Sequence, residues 1–182
     1  MKQVQRYSHR RPHRLKGNFL VEFSIVGLVF AAALSFASDT MISFSVKGKL
    51  DRLAYSGVGL LKERTALFGS NQLTVSDAEF QQLDTILQNS LTRMLSSFDT
   101  TKYGIRLETW DPDAGYSSRD RGQITCTQSD LDLSSDLSVM TSWGREASLY
   151  RITLCYETPN WFGRFVTNDD TVVRSDALMI GR

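Results

Sequence analysis

One long apolar run stands near the start of the chain, and its length is that of a membrane span. Residues 19–38 contain a single charged side chain, Glu22, and the next charge is Asp39. A helix of about twenty residues extends about 30 Å, which is the thickness of the hydrocarbon core of a bilayer. No later segment of the sequence has this length without charge. The pattern therefore predicts one transmembrane helix over 18–38.

Apolar residues keep recurring beyond this run at intervals of three and four, the period of an amphipathic helix. Charged residues lie between them, so one face stays polar. The pattern predicts that the helix continues out of the membrane over 39–68, with glycines at which it could bend or fray. The apolar positions are Met41, Phe44, Leu50, Leu53, Ala54, Val58, Leu60 and Leu61, and the glycines are Gly48, Gly57 and Gly59.

The remainder, residues 69–182, predicts one domain that mixes a helix with strands. Ser76 and Glu79 fit a capping box, and an apolar stripe from there to Phe98 predicts a second helix whose apolar face is core. Alternation and turn residues predict the rest of the domain. The expected strands are 103–110, 123–127, 148–157 and 171–180, the last with a break at Asp176, and a turn is expected at 111–115. The fold class predicted is α+β, with the second helix packed on a small antiparallel sheet.

Charge is concentrated at the start of the chain, although the net charge is only +1. Residues 1–16 contain no acid, and without them 15 of the 21 basic residues remain against 20 acidic ones, a net charge of −5. A basic tail next to an apolar helix is typical of the cytoplasmic end of a membrane protein, so membrane lipid and not nucleic acid is the expected partner. The basic residues are Lys2, Arg6, Arg10, Arg11, Arg14 and Lys16.

A short motif marks the boundary between this tail and the apolar run. Gly17 is followed by Asn18-Phe19-Leu20-Val21-Glu22-Phe23. It resembles the type IV prepilin cleavage motif, in which a prepilin peptidase cuts after the glycine and the mature helix carries glutamate at its fifth residue. The Glu22–Phe23 pair is similar to that of the tight adherence (Tad/Flp) branch, and a chain of this length most resembles the TadE/TadF minor pilins, TadF in particular. The motif covers 16–23, and the charge and hydropathy pattern extends the match to about residue 68.

The resemblance implies a function in assembly. It implies a cleaved leader at 1–17, a helix anchored in the bacterial inner membrane with its N-terminal tail cytoplasmic, and a periplasmic domain. The implied role is that of a minor pilin or pseudopilin in a Tad-type adhesive pilus, with Glu22 and Phe23 acting in assembly and peptidase recognition. The implied partners are the prepilin peptidase, a TadE-like minor pilin, the major Flp pilin and the inner-membrane assembly platform.

The chemistry of the motif can also be derived from the residues. Cleavage after Gly17 would create a cationic α-amino group on Asn18, and an unpaired charge among apolar helices is costly. Glu22 of a neighbouring, staggered subunit can neutralise that amine and so set the register between helices. The alternative is that Glu22 only reaches the membrane interface and that Gly17 has no special role.

Two other functions remain open on sequence. A pseudopilin of a type II secretion system would share the cleavage motif. A signal-anchored or Sec-secreted binding domain is the third possibility, because Ser35-Phe36-Ala37 fits a signal peptidase site. Against cleavage after Ala37, Glu22 interrupts the apolar run, and the helical pattern continues past the cut.

The cysteines and histidines indicate compartment and chemistry. Cys126 and Cys155 both lie in predicted strands beyond the span, so a disulfide is expected, with two buried thiols as the alternative. The only histidines, His9 and His13, lie in the leader. A mature chain would therefore lack histidine catalysis and most zinc chemistry, and we predict no enzyme, no cofactor and no metal site.

Two segments of the body carry weaker signals. The stretch 129–136, with its aspartates, is expected to be a solvated loop, because it lacks the glycine and glutamate of an EF-hand; weak cation binding is the alternative. Trp143, Trp161 and Phe162 could form an exposed aromatic contact surface, or they could anchor loops beneath the sheet.

Overall fold

The structure is a computed structural model that describes residues 18–63, 75–127, 140, 144, 146–166 and 170–181. Its described residues form an α+β fold, as the sequence predicts. The helices are α1 (Asn18–Lys62), α2 (Asp77–Met94) and the short α3 (Trp161–Val166), with a 3₁₀ turn at Thr100–Lys102. The strands are β1 (Tyr103–Asp111), β2 (Gly115–Gly122), β3 (Leu149–Thr158) and β4 (Thr171–Ile180).

The first helix is continuous over 45 residues. It is helical through Gly48, Gly57 and Gly59, so the expected fraying at these glycines does not occur. The helix ends at Lys62, earlier than the predicted 68, and residues 64–68 lie outside the described part of the chain. At about 1.5 Å per residue, α1 extends about 67 Å.

The second helix starts at the predicted capping box. The Ser76 hydroxyl accepts a hydrogen bond from the Glu79 amide at 3.3 Å, and the Glu79 carboxylate accepts one from the Ser76 amide at 2.6 Å. The helix ends at Met94, four residues before the predicted Phe98. Leu95 is already extended, and the Phe98 ring packs instead against Tyr103 and Tyr156, with ring centroids 5.9 and 5.7 Å away.

The four strands form one antiparallel sheet in the order β2-β1-β3-β4. The predicted strands 103–110, 148–157 and 171–180 are confirmed to within a residue. The expected break at Asp176 is absent, since Asp176 pairs with Thr153 in an unbroken β4. The predicted turn at 111–115 joins β1 to β2, with the Asp111 carboxylate accepting hydrogen bonds from the amides of Asp113 and Ala114.

The predicted strand at 123–127 is wrong, and β2 takes its place in the sheet. Residues 123–127 leave the sheet edge and cross one face of it. The amides of Gln123 and Ile124 both donate to the carbonyl of Tyr103, at 2.9 and 3.4 Å. Gly104 permits this crossing, because a Cβ there would lie 2.1 Å from the carbonyl oxygen of Ile124.

Cys126 therefore does not lie in a strand, whereas Cys155 lies in β3 as predicted. The structure joins the two in a disulfide with their Cα atoms 5.7 Å apart. The bond ties the crossing segment to a central strand. Closing a loop with a sequence separation of 29 residues stabilises a fold by about 3–4 kcal/mol in the chain-entropy estimate.

One apolar core lies between the helices and the sheet. The second half of α1 and the apolar face of α2 pack on alternate residues of β1 and β3, and paired positions such as Leu107 and Ile152 face the same side. Gly57 lies where α1, α2 and β3 meet. A Cβ at this position would be 3.1 Å from the Cδ1 atom of Ile152 and 3.3 Å from that of Leu87, so glycine allows the three elements to approach closely.

Candidate functional site

The first half of α1 is an apolar surface that the domain does not cover. Phe19 is 80% exposed and Leu28 is 73% exposed. None of the apolar window of this helix is buried, and its mean hydropathy is 2.2. In the part of the chain that the structure describes, α1 is the one helix long and apolar enough to cross a membrane. An exposed apolar surface this large marks a membrane or assembly contact.

Hydroxyl groups along this surface are satisfied within the helix itself. Ser24, Ser35 and Ser38 each donate to the carbonyl oxygen four residues earlier, at 2.7, 3.0 and 2.8 Å. A bilayer offers no water to hydrogen-bond polar groups, so a spanning helix has to satisfy them internally. These three serines are therefore compatible with a lipid environment.

The predicted site residues lie at the start of α1. Asn18 is the first helical residue, and Glu22 and Phe23 follow within little more than one turn. Both Glu22 and Phe23 are exposed, and the rings of Phe19 and Phe23 stack with centroids 6.2 Å apart. Residues four apart share a helix face, so Asn18 and Glu22 lie on the same side. Gly17 lies outside the described residues.

A junction between the domain and α1 lies where the uncharged run ends. Asp39 is only 8% exposed, and its Oδ2 atom accepts a hydrogen bond of 2.6 Å from the backbone amide of Phe162 in α3. The rings of Phe36 and Phe162 meet edge to face, with centroids 5.6 Å apart. The sequence gives no signal for this junction, because its partners are more than a hundred residues apart in the chain.

Of the aromatic residues, Trp161 is exposed as one expectation had it, whereas Phe162 packs on α1, which neither expectation describes. Trp161 is 60% exposed, whereas Phe162 is half-buried against α1. Trp143 and the stretch 129–136 lie outside the described residues. Trp161 is thus exposed directly beside Phe162 in the chain, and the Phe162 ring contacts Phe36.

A buried ion pair lies on the face of the sheet opposite the helices. Arg151 in β3 donates from Nε and Nη2 to the carboxylate of Glu108 in β1, at 2.5 and 2.6 Å, and the Tyr116 hydroxyl in β2 donates to the same carboxylate at 2.9 Å. Glu108 is fully buried. Alternation along β1 places Glu108 on the face opposite the apolar residues, but no local pattern predicts its partners on β2 and β3. The arrangement pairs one acid with donors from neighbouring strands, which is a structural role.

A cleft of about 730 Å³ opens beside the stretch of α1 just beyond Asp39. Apolar residues such as Met41 and Val46 line it together with Lys49 and Arg93, and the C-terminal end of α2 forms another wall. Among the described residues, no group of three or more His, Cys, Asp or Glu side chains is placed to hold a metal ion. The surface that distinguishes this molecule is therefore the exposed half of α1.

An exposed apolar helix that continues into the core of a small α+β domain fits a single-pass membrane protein of the pilin type. A family model, TadF, described as "Putative tight adherence pilin protein F", matches residues 12–182. The chain belongs to the TadF family, as the motif at residues 16–23 indicated. Searches of curated proteins and of solved structures gave no match.

Proposed function

We propose that the protein is a minor pilin or pseudopilin required for assembly of a Tad-type (Flp) adhesive pilus. The observation that carries this proposal is the division of α1 into an exposed apolar half and a half buried in the domain core. One rigid helix thus connects the packing surface to the domain. The family match over residues 12–182 supports the Tad system over a secretion system.

Maturation is proposed to occur by prepilin peptidase cleavage between Gly17 and Asn18. The mature chain would then begin at the first residue of α1, with a new amino group one helical turn from Glu22. Asn18 and Glu22 lie on one face, so a staggered neighbour can bring its Glu22 to this amine. Phe19 and Phe23 flank the pair with apolar surface, where an ion pair has few competing water contacts.

The proposed topology follows from charge. The basic leader stays in the cytoplasm, residues 18–38 span the inner membrane, and 39–182 form the periplasmic part, including the continuation of the helix. The disulfide between Cys126 and Cys155 suits an oxidising periplasm. The proposed partners are the prepilin peptidase, a TadE-like minor pilin, the major Flp pilin, the assembly platform and membrane lipid. The role is binding and assembly, without catalysis.

Replacing the carboxylate tests this assembly role. The Glu22→Gln variant keeps the size of the side chain and removes its charge, so we expect cleavage and membrane insertion to stay largely intact while pili are lost. Pili are counted by electron microscopy, and processing is followed by mass spectrometry of the membrane fraction. Glu63→Gln is the matched control, because Glu63 is exposed just beyond the other end of α1. Normal piliation in Glu22→Gln would refute the proposed pairing.

A further inference from the structure

The end of the uncharged run indicates which residues lie at the membrane surface. If α1 spans the membrane as proposed above, about twenty residues cross its hydrocarbon core. Asp39 is the first charged residue after Glu22 and follows Ser38 directly. It therefore lies at the boundary between hydrocarbon and headgroups on the side of the domain. Exposed apolar side chains continue for little more than one turn beyond it, at Met41 and Phe44.

Two contacts made by Phe162, one by its backbone and one by its ring, hold α3 at this depth. The buried carboxylate of Asp39 accepts the hydrogen bond from the Phe162 amide, and the Phe162 ring packs on Phe36, which is one turn deeper in the span. The turn into α3 is also fixed locally, since the Asn160 side chain accepts a hydrogen bond from the Gly163 amide at 2.6 Å. The backbone of α3 thus lies at the level of residues 36–39 of α1.

Trp161 precedes Phe162 and leaves 60% of its surface exposed at that level. Tryptophan is enriched where membranes meet water, because its ring is apolar and its N–H group needs a polar partner. The neighbouring Phe36 is 55% exposed within the apolar run, so the aromatic patch is continuous with the surface that α1 presents to lipid.

The geometry points to a second membrane contact: α3 is an interfacial anchor, with Trp161 inserted among the headgroups of the membrane that α1 spans. Asp39 and Phe36 are the positioning residues that hold α3 at this depth. The domain then rests on the bilayer at two points and does not swing about a single helix. This inference depends on the proposed span, but a span could exist without the anchor.

Fluorescence quenching by brominated lipid tests the anchor. The full-length Trp110→Phe/Trp143→Phe variant keeps only Trp161, and the Trp143→Phe/Trp161→Phe variant keeps only Trp110. Trp110 pairs with Leu149, at the end of the sheet remote from Thr158 and α3. At about 3.3 Å per residue, Trp110 lies about 30 Å from the level of Thr158, which makes it a matched control.

Each variant is placed in phosphatidylcholine vesicles that carry bromine at carbons 6 and 7 or at carbons 11 and 12 of one acyl chain. We expect the fluorescence of Trp161 to be quenched by the shallow bromines at carbons 6 and 7, and less by the deep bromines at carbons 11 and 12. The fluorescence of Trp110 should not be quenched by either. Adding Asp39→Ala to the Trp161 variant should weaken the shallow quenching, since α3 loses its tie to α1.

Flotation of the vesicles separates the two ways in which the inference can fail. If Trp161 is unquenched in protein that floats with the vesicles, the anchor is overturned and the span is left intact. Protein that does not float would overturn both the span and the anchor. Full shallow quenching in the Asp39→Ala variant would overturn the positioning role of Asp39.

Discussion

At the scale of residues, the stability of the domain is most sensitive to substitution at its buried polar side chains. Glu108 is fully buried and receives hydrogen bonds from Arg151 and Tyr116, on the two strands that flank β1. A buried ion pair adds little compared with a well-packed apolar pair, but removal of one partner leaves an uncompensated charge. The cluster is therefore sensitive to single substitutions and tolerant of paired ones.

Arg151→Leu should destabilise the domain by about 3 kcal/mol, because the buried carboxylate of Glu108 would lose its two shortest charged hydrogen bonds and keep Arg106, whose Nε atom lies 4.0 Å away, as its nearby cation. The Glu108→Leu/Arg151→Leu double variant is expected to recover most of this loss. Urea unfolding of the detergent-solubilised chain, followed by circular dichroism, measures both. A double variant at least as unstable as Arg151→Leu would contradict this account.

Because of Tyr103, we expect the unfolding free energy of the domain to depend on pH in the alkaline range. Burial raises the pKa of its phenol above the ordinary value, and the negative charge of Asp84 acts in the same direction. The folded state therefore holds the phenolic proton where the unfolded chain, with a pKa of about 10, releases it. Because the folded pKa is the higher one, this contribution to stability is complete below about pH 10 and is lost as the pH rises above that value.

Tyr103→Phe should accordingly flatten the fall in unfolding free energy between about pH 10 and 11. The quantity to compare is the difference in unfolding free energy between variant and parent at each pH, because other groups titrate in the same range in both proteins. Parallel pH profiles for the two proteins would show that the Tyr103 proton contributes nothing.

At the scale of elements, the packing of α1 depends on one glycine. Gly57→Val should cost about 1–3 kcal/mol, because the new side chain would overlap Leu87 of α2 and Ile152 of β3. Gly48→Val is the matched control on the same helix, since a Cβ at Gly48 has no atom within 4 Å. Thermal unfolding of both variants measures the difference, and equal melting temperatures would mean that the three elements can move apart at no cost.

Helices and strands that bury an apolar face could be predicted from the sequence, whereas the polar edge strand β2 could not. The stripe of α2 and the alternation of β1 and β3 reflect burial directly, so these elements were found within a few residues. β2 is an edge strand whose outer positions are exposed, and its sequence, Gly115–Gly122, has no apolar alternation. Ile124 and Cys126 alternate like a strand, but they cover the sheet and do not join it.

The same limit applies to the candidate site. A run of apolar residues with one acid is a local pattern, so the exposed half of α1 and the position of Glu22 could be read from the sequence. The junction between Asp39 and Phe162 joins positions 123 residues apart. Only the fold brings these residues together, and no local pattern predicts such a pairing.

At the scale of the whole molecule, one helix serves two environments. Its first half is exposed and apolar, and its second half is the spine of the domain core. Cleavage after Gly17 would keep both halves in the mature protein. Cleavage after Ala37 would discard the exposed half and separate Phe36 from Phe162, so the two maturation routes leave very different molecules.

N-terminal sequencing of the protein extracted from membranes of peptidase-competent cells distinguishes these routes most directly. We expect a mature chain that begins at Asn18, and an uncleaved chain in cells that lack the prepilin peptidase. A mature chain beginning at Ser38, or an intact N-terminus in competent cells, would contradict this expectation.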